Sequence, residues 1–478
     1  MGTSIKSCIL VFTGMASLVF IGCGGGATGL PSTPAVHNEW TWMSGSFSVN
    51  QFGTYGQQGV ASSGSTPGAR ISPVSFTDQS GNFWLFGGFG LAATTGKDLN
   101  DLWKYSNGEW TWVSGSNQSE QAGIYGTQGV PSPNNVPGAR YEAVGWTDSQ
   151  GSFWIFGGTG IDSNGLRSNL NDLWKYSNGQ WTWMAGSATG WNATATYAQQ
   201  AGVYGTQGVP SPANTPGARF DAVSWADATG NLWLFGGSGW DSTGHGGDLN
   251  DLWKFSNGQW TWMAGSNLAG MVGSPGVYGT QGVAAAGNTP GGRALAAAWT
   301  DAEGNLWLFS GVGNSSAGIN CFSSPCTLND LWRYTPGTGW AWMGGTNAFN
   351  QVGIYGTPGV PASSNIPGGR TGAVTFTDAA GNFWLFGGNG MDSTGAYSAF
   401  QQLNDLWKYS NGQWTWVSGS NVAMQPGTYG IQGTPAAGNV PSAREWATGW
   451  IDASGNLWLL GGFNSTGQSL NDLWEYQP

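Results

Sequence analysis

The sequence predicts an all-β protein in which six small antiparallel sheets close into a ring, and three observations support this. First, the chain of 478 residues repeats one segment six times, at intervals of 67 (Asn404 to Asn471) to 79 residues (Asn171 to Asn250). Second, the segments are short, rich in Trp, Phe, Val and Tyr, and bounded by Gly, Asn and Asp, which is typical of strands and turns. Third, so long a fixed period indicates supersecondary units that bury their faces against each other.

Each copy supplies four strands, as the second copy illustrates. Residues 140–146 form the first predicted strand, and a Thr-Asp-Ser-Gln-Gly turn leads to the second at 152–157. Residues 171–176 form the third, and a Ser-Asn-Gly turn leads to the fourth at 180–184. Six such sheets packed radially hide their faces and shorten their exposed edges. The sequence therefore predicts a six-bladed β-propeller.

The ends of the repeat array predict how the ring closes. The chain enters the array with a lone fourth strand, Glu39 to Met43, and leaves it with a third strand, Leu470 to Tyr476. Because a tight hairpin joins each fourth strand to a third strand, we expect the N-terminal strand to complete the sixth blade. An edge left open there would favour aggregation. Residues 38–478 are thus expected to form one domain.

Several repeated residues are similar to kelch repeats. These are the Gly-Gly that ends the second strand, the aromatic residues on strands three and four, and the Arg that opens strand one. The resemblance covers about residues 38–478, although the period exceeds the usual kelch value of about 50. The fourth copy departs with Ser310-Gly311 in place of Gly-Gly. The resemblance implies a kelch-type propeller, similar to the central domain of galactose oxidase, that binds ligands on its loop-rich face.

The N-terminal residues resemble an export signal. Lys6 precedes an apolar run from Cys8 to Ile21 that is too short to span a bilayer comfortably. The run ends in Val-Phe-Ile-Gly-Cys, which resembles a bacterial lipobox. We therefore expect a signal peptide at 1–22, a lipid-modified Cys23 and a flexible tether at 23–37. The resemblance implies a lipid-anchored envelope protein, in the outer membrane because no Asp follows Cys23. An ordinary signal peptide is the alternative.

Charge and cysteine usage limit the partners. The net charge is −11 and only 8% of residues are charged. No basic cluster is present, which argues against nucleic acid; we expect a monomer that touches the membrane only through its anchor. Cys321 and Cys326 flank one loop and are expected to form a disulfide in an exported protein. A metal site is less favoured, since no His or third Cys lies near them.

Ligand binding is expected on the face that carries the long loops and connections. The repeat Arg is the first residue of the innermost strand, so it is expected near the mouth of the propeller channel on that face. It either captures an anion or pairs with the Asp of Asn-Asp-Leu-Trp. The tyrosine of a repeated Gly-x-Tyr-Gly motif in the connections is either a ligand platform or a plug between blades. The Arg positions are Arg70, Arg140, Arg219, Arg293, Arg370 and Arg444.

The position two residues after each Arg differs in every blade. Three blades bring a carboxylate to this region, through Glu142, Asp221 and Glu445. These acids either bind a cation or act as general acid and base, or they are simply solvated. Together with Trp446 and the repeat Arg they are the candidate binding residues. The six positions are Ser72, Glu142, Asp221, Leu295, Gly372 and Trp446.

Signals for catalysis, metal or cofactor are poor, and we expect none of the three. After the anchor the chain contains only His37 and His245, too few for the copper-radical chemistry of kelch oxidases. The segments that begin at Asp162 and Asp241 resemble calcium loops but lack acidic ligands, so turns are favoured. The first hypothesis is a non-catalytic binding propeller for a glycan or protein. The alternatives are a sugar-processing enzyme resembling exported kelch-type sialic acid mutarotases, which would need an asymmetric Arg/Glu pocket at the mouth, and a structural envelope protein.

Overall fold

The computed structural model describes residues 38–190, 200–227, 229–269, 274–315, 326–395 and 401–478. Within these ranges every regular element is a β-strand, and residues 37–478 form one unit. The fold is a six-bladed β-propeller of antiparallel blades, as the repeats predict. In the part of the chain that is described, no helix is long and apolar enough to cross a membrane. The predicted signal peptide, Cys23, the tether to residue 37 and Cys321 lie outside the described residues.

The first three blades follow one another along the chain. Blade one contains β2 (Arg70–Ile71), β3 (Val74–Thr77), β4 (Phe83–Leu91), β5 (Gly96–Ser106) and β6 (Glu109–Ser114). Blade two contains β7 (Arg140–Tyr141), β8 (Val144–Thr147), β9 (Phe153–Phe156), β10 (Thr159–Ile161), β11 (Arg167–Asn169), β12 (Leu173–Ser177) and β13 (Gln180–Ala185). Blade three contains β14 (Arg219–Phe220), β15 (Val223–Ala226), β16 (Leu232–Phe235), β17 (Ser238–Trp240), β18 (Gly246–Asp248), β19 (Leu252–Ser256) and β20 (Gln259–Ala264).

The last three blades complete the ring. Blade four contains β21 (Arg293–Ala294), β22 (Ala297–Thr300), β23 (Leu306–Phe309), β24 (Val312–Gly313), β25 (Leu331–Thr335) and β26 (Gly339–Gly344). Blade five contains β27 (Arg370–Thr371), β28 (Val374–Thr377), β29 (Phe383–Gly390), β30 (Gln402–Ser410) and β31 (Gln413–Ser418). Blade six contains β32 (Arg444–Glu445), β33 (Thr448–Ile451), β34 (Leu457–Asn464), β35 (Ser469–Gln477) and the N-terminal β1 (Glu39–Ser44).

The N-terminal strand closes the ring, as expected. β1 pairs antiparallel with β35, with Trp40 opposite Tyr476, and Trp40 is only 2% exposed. The seam between blades six and one uses the same contact as other seams. Trp450 Nε1 donates to the carbonyl oxygen of Trp84 at 3.2 Å, just as Trp146 Nε1 donates to that of Trp233 at 3.0 Å.

The core lies in the seams between neighbouring blades. Six aromatic and aliphatic clusters are present, and each draws its buried residues from two adjacent blades. Phe83 of blade one, for example, stacks on Trp450 of blade six with ring centroids 5.3 Å apart. Because each large aromatic buries 150–250 Å², roughly, these seams account for the high Trp content.

The inner strand of each blade is broken, which corrects the prediction of a continuous strand at 140–146. In blade two β7 ends at Tyr141 and β8 begins at Val144, and Glu142 between them has a φ of 57°. The second strand bends at the same level. Gly157 has a φ of 66°, and a Cβ atom there would lie 2.7 Å from the carbonyl oxygen of Arg219. Both breaks separate a loop-side part of the blade from the main sheet.

Blade four shows how Ser310 replaces the first Gly of the repeated Gly-Gly. Ser310 adopts a φ of 65°, in the left-handed region that glycine occupies elsewhere. Its Oγ accepts from the backbone N–H of Arg370 at 2.8 Å, and its one hydrogen can be donated to the carbonyl oxygen of either Leu328 or Arg370. These hydrogen bonds stabilise a side chain where the other blades have none.

Candidate functional site

Each repeat Arg belongs to an internal brace around the Asp of Asn-Asp-Leu-Trp. In blade one, Arg70 Nη1 and Nη2 donate to the two carboxylate oxygens of Asp101, both at 2.7 Å. Tyr55 Oη and Trp103 Nε1 donate to the same carboxylate at 2.6 and 2.7 Å. Arg70 is 1% exposed and Asp101 is 0% exposed. The ion pair recurs at Asp101, Asp172, Asp251, Asp330, Asp405 and Asp472.

The braces leave the six Arg side chains no surface for a ligand. The sequence allowed two interpretations of the repeat Arg, anion capture or pairing with Asp. The observed contacts are ion pairs with Asp. We therefore place the candidate site elsewhere. The buried positions are Arg70, Arg140, Arg219, Arg293, Arg370 and Arg444.

The tyrosine of the Gly-x-Tyr-Gly motif is also part of the brace. Tyr204 Oη donates to Asp251 at 2.6 Å, and its ring packs on Trp253 and Trp262, with centroids 4.7 and 5.3 Å away. Burial, followed by the negative charge of Asp251, raises the pKa of Tyr204 well above its usual value. The tyrosines are therefore structural plugs rather than an exposed platform.

The calcium-like segments are turns, as favoured. Asp162 Oδ1 accepts from the backbone N–H of Asn164 and Leu166 at 2.8 and 2.9 Å, and Oδ2 accepts from that of Gly190 at 2.9 Å. Asp241 makes equivalent bonds in blade three. Backbone donors thus occupy both carboxylates. Among the described residues no group of three or more His, Cys, Asp or Glu could hold a metal ion.

The six variable positions meet at the propeller axis, where they form a closed ring of backbone hydrogen bonds. The N–H of each residue donates to the carbonyl oxygen of its counterpart in the preceding blade, at 2.9 to 3.3 Å. All six residues have φ values between 47° and 60°. We call this the axial ring. In chain order it consists of Ser72, Glu142, Asp221, Leu295, Gly372 and Trp446.

The axial ring brings two of the predicted carboxyl groups together. Glu142 and Asp221 are adjacent ring members, and Asp221 N–H donates to the Glu142 carbonyl oxygen at 3.1 Å. Burial raises the pKa of Glu142 to about 7, while Arg167 opposes the shift and Asp98 adds to it. Burial also raises the pKa of Asp221 well above its usual range, and the charges of Glu142 and Asp248 add to the effect. The two groups therefore titrate as a pair.

Beside this pair lies a cluster that sequence reasoning missed. Arg167 Nε is 3.1 Å from Asp98 Oδ2, and Arg167 Nη2 donates to Tyr141 Oη at 3.1 Å. The guanidinium carbon lies 5.4 Å from the Tyr141 ring centroid and 6.0 Å from that of Phe89. Asp98 is 1% exposed, and its Oδ1 accepts no hydrogen bond from any described residue. A signal was available, because Arg167 is one of the few basic residues outside the repeat pattern.

The opposite side of the axis carries Glu445 and Trp446. Glu445 is 3% exposed, and its Oε1 accepts from Gln402 Nε2 at 2.8 Å. The indole of Trp446 lies against Gly372, where a Cβ atom would be 2.8 Å from Trp446 Cδ1. The Trp446 Nε1 atom is buried and finds no acceptor among the described residues. This half therefore offers an aromatic face and an unpaired donor. We call the loop-side region around the axial ring the axial mouth.

The remaining predicted site residues lie apart from the axis. Cys326 is buried and disulfide-bonded, whereas its expected partner, Cys321, falls in a stretch that is not described. His245 lies in the turn after Asp241, and its Nδ1 is 2.6 Å from Thr243 Oγ1. Neither Cys326 nor His245 belongs to the axial mouth.

Comparisons with known proteins give only distant similarity. No family model matches the sequence, and no curated protein matches it. The chain is similar to the structure of YjhT, with 16% identity and a TM-score of 0.47 over 88% of this chain and 95% of that one. It is also similar to a fungal alcohol oxidase of the AA5 family in complex with copper, with 12% identity and a TM-score of 0.41. That match covers 85% of this chain and 62% of the oxidase chain. With both scores below 0.5, no activity is carried from either protein to this chain.

Proposed function

We propose that the protein is a binding propeller that holds a glycan in the axial mouth. The observation that carries the proposal is the axial ring, where six equivalent backbone positions are occupied by six different residue types. The buried Arg–Asp pairs, in contrast, are the same in all six blades. A site for one asymmetric ligand must differ between blades, and this is the level at which they differ.

The chemistry of the axial mouth suits a sugar. Glycans present apolar ring faces together with many hydroxyl groups, and Trp446 and Tyr141 supply aromatic surface for the ring faces. Asp98 Oδ1 and Trp446 Nε1 lack hydrogen-bond partners among the described residues. Hydroxyl groups of a bound sugar would satisfy both, which removes the cost of leaving buried polar atoms unpaired.

A glycan array followed by thermal shift on the full chain tests this proposal. A ligand present at about 100 times its Kd should stabilise the fold by about 2.7 kcal/mol. Trp446→Asn should lower glycan affinity at least tenfold without unfolding the protein, because Asn tolerates the φ of 55° at this position. Trp446→Phe, which keeps the ring face but loses the N–H, should cost less.

A competing location provides the control. A cleft of about 380 Å³ lies near the outer strands β1 and β6, and its lining includes Phe52, Ser62 and Gln432. Phe52→Ala should leave glycan binding unchanged. Full binding by Trp446→Asn together with loss of binding in Phe52→Ala would place the ligand in this cleft and refute the axial mouth.

A second candidate is a sugar-processing enzyme that acts in the same place. The observation in its favour is that Glu142 and Asp221 are neighbours in the axial ring. Burial raises the pKa of Glu142 to about 7, where a carboxyl group exchanges protons at neutral pH, and raises that of Asp221 well above its usual range. Proton-transfer catalysis would appear as accelerated anomeric exchange of the bound sugar, measured by NMR. Glu142→Gln with Asp221→Asn should abolish that exchange. Exchange at the uncatalysed rate in the parent protein would leave only the binding function.

Attachment to the membrane through Cys23 is part of the proposal. It is supported by the lipobox-like sequence and by the Gly-rich segment that follows Cys23. Anchored in this way, the propeller would bind glycans at the cell envelope.

A further inference from the structure

Every described basic side chain at the axial mouth has an acidic partner. The six repeat Arg are buried in their braces. Arg167 is paired with Asp98, and Lys97 Nζ is paired with Glu120 Oε1 at 2.9 Å. The segments that the structure does not describe within the propeller, namely 191–199, 228, 270–273, 316–325 and 396–400, contain no Lys, Arg or His.

The other basic residues lie on the opposite face. Lys104 Nζ, for example, sits 5.5 Å from the ring centroid of Trp84 and 3.9 Å from Asp78, whose turn joins the first and second strands. Lys175 and Lys408 repeat this arrangement, and Lys254 and Arg333 lie over the equivalent Trp rings. These cations are therefore unavailable to a ligand at the axial mouth.

Acceptors, in contrast, are in excess at the axial mouth. The carboxyl groups of Glu142 and Asp221 show no hydrogen bond to another described side chain. Asp248 lies beside them, and its Oδ1 accepts from Ser238 Oγ at 2.6 Å. A ligand that fits here must bring hydrogen-bond donors and, preferably, positive charge.

The buried carboxylate of Asp98 is an independent observation that points to the same ligand chemistry. Its Oδ1 is shielded from solvent and accepts no hydrogen bond from any described residue. A buried acceptor in this state is costly unless a donor reaches it. An ammonium group supplies three donors and a positive charge.

We propose that the glycan held in the axial mouth is an amino sugar, whose ammonium group lies against the Glu142 and Asp221 carboxylates, and that acidic sugars are rejected. This inference rests on the proposed glycan-binding function and names its ligand class. Neutral sugars bring no positive charge that would stabilise the ionised form of the pair, and a carboxylate on the sugar would disfavour that form further.

Binding should be coupled to proton release. The ammonium favours the ionised form of the acids, so a complex formed near pH 6 should release the proton that free Glu142 holds, since its pKa is raised to about 7. The charged and titratable groups around the pair are Arg167, Asp98, Asp248, Tyr141 and, farther out on the rim, Lys97 with Glu120. Calorimetry in two buffers of different ionisation enthalpy would measure the number of protons released.

Three matched tetrasaccharides test the ligand class by calorimetry on the full chain at pH 6: a glucosamine, an N-acetylglucosamine and a galacturonic acid tetramer. We expect the glucosamine tetramer to bind at least tenfold more tightly than the acetylated one, which is about 1.4 kcal/mol. The galacturonic acid tetramer should not bind measurably. Equal affinity for the charged and neutral tetramers, or preference for the acid, would overturn the inference while the proposed function stands. Failure of all three to bind would count against both.

Substitutions test which residues cause the preference for the glucosamine tetramer. Glu142→Gln with Asp221→Asn should reduce glucosamine affinity at least tenfold, to the level of the acetylated tetramer, and should remove the proton release. Glu142→Gln alone serves as the second variant should the double change impair folding. Glu303→Gln removes a charge from an exposed turn on the opposite face and should leave the selectivity unchanged. An equal loss in Glu303→Gln would mean that general surface charge causes the preference, which would refute the assignment to the pair.

Discussion

The backbone N–H of Ser72 donates a 2.9 Å hydrogen bond to the carbonyl oxygen of Trp446, and this bond joins the first blade to the sixth at the axis. The propeller is thus closed in two places. Backbone hydrogen bonds close it at the axis, and the pairing of β1 with β35 closes it at the outer rim. At the axis the closing blade therefore contacts blade one through the same backbone hydrogen bond that joins the other neighbouring blades.

Removal of the N-terminal strand should open the rim. Deletion up to Ser44 removes Trp40, which is 2% exposed, and leaves β35 as an unpaired edge. Trp40 and Trp42 together bury a few hundred Å², so the loss should be several kcal/mol, roughly. The melting temperature should fall far below that of a protein cut at Pro34. Equal melting temperatures would show that β1 adds nothing to closure.

Breaking a brace should be much more costly than breaking a surface ion pair. Asp251→Asn leaves the buried guanidinium of Arg219 without its counter-charge, and the expected loss is about 3–5 kcal/mol. Glu120→Gln breaks the pair with Lys97, whose side chains are 42% and 54% exposed, and should cost less than about 1 kcal/mol. Urea unfolding of both variants measures the difference. Similar losses of unfolding free energy in the two variants would show that a buried brace contributes no more stability than a surface ion pair.

Removal of one tyrosine hydroxyl tests whether the tyrosine of the Gly-x-Tyr-Gly motif is a structural plug or a ligand platform. Tyr204→Phe keeps the packing on Trp253 but removes the hydrogen bond to Asp251, so it should cost about 1.5–3 kcal/mol. Glycan affinity should not change. A variant with parental stability and weakened binding would instead indicate a ligand platform.

Stability should fall as the pH rises through the titration of the axial pair. Glu142 has a pKa of about 7 in the folded protein, against an ordinary value of 4.5. Between these values the folded state holds the proton more tightly than the unfolded state, so stability decreases from about pH 4.5 to pH 7. Glu142→Gln should flatten the dependence of melting temperature on pH. Asp98, with a pKa of about 6, retains part of the slope. An unchanged curve would contradict the raised pKa.

Anchoring is tested by Cys23→Ser. This variant should lose any acyl mass on residue 23 and should move from the membrane fraction to soluble or uncleaved forms. Unchanged fractionation would contradict the lipobox interpretation.

The repeats made the fold predictable because equivalent residues form equivalent strands and packing contacts in each blade. The Arg–Asp pairing was also foreseeable, since both residues recur at fixed positions. The axial ring was not, because its contacts are made by backbone atoms and its side chains share no pattern. Of its six residues only Gly372 is of a type that commonly adopts positive φ without strain. The contact between Arg167 and Asp98 was missed because the two residues lie on strands of different blades, β11 and β5, that are far apart in the sequence.

The axial ring constrains which residues evolution can place at the centre of this molecule. Its hydrogen bonds come from the main chain, so a new side chain leaves closure intact. The left-handed backbone nevertheless disfavours Val, Ile and Thr, and none of the three occurs at these positions. Under the proposed function, substitutions at single ring positions could therefore change the ligand preference one blade at a time, with Val, Ile and Thr the least compatible choices.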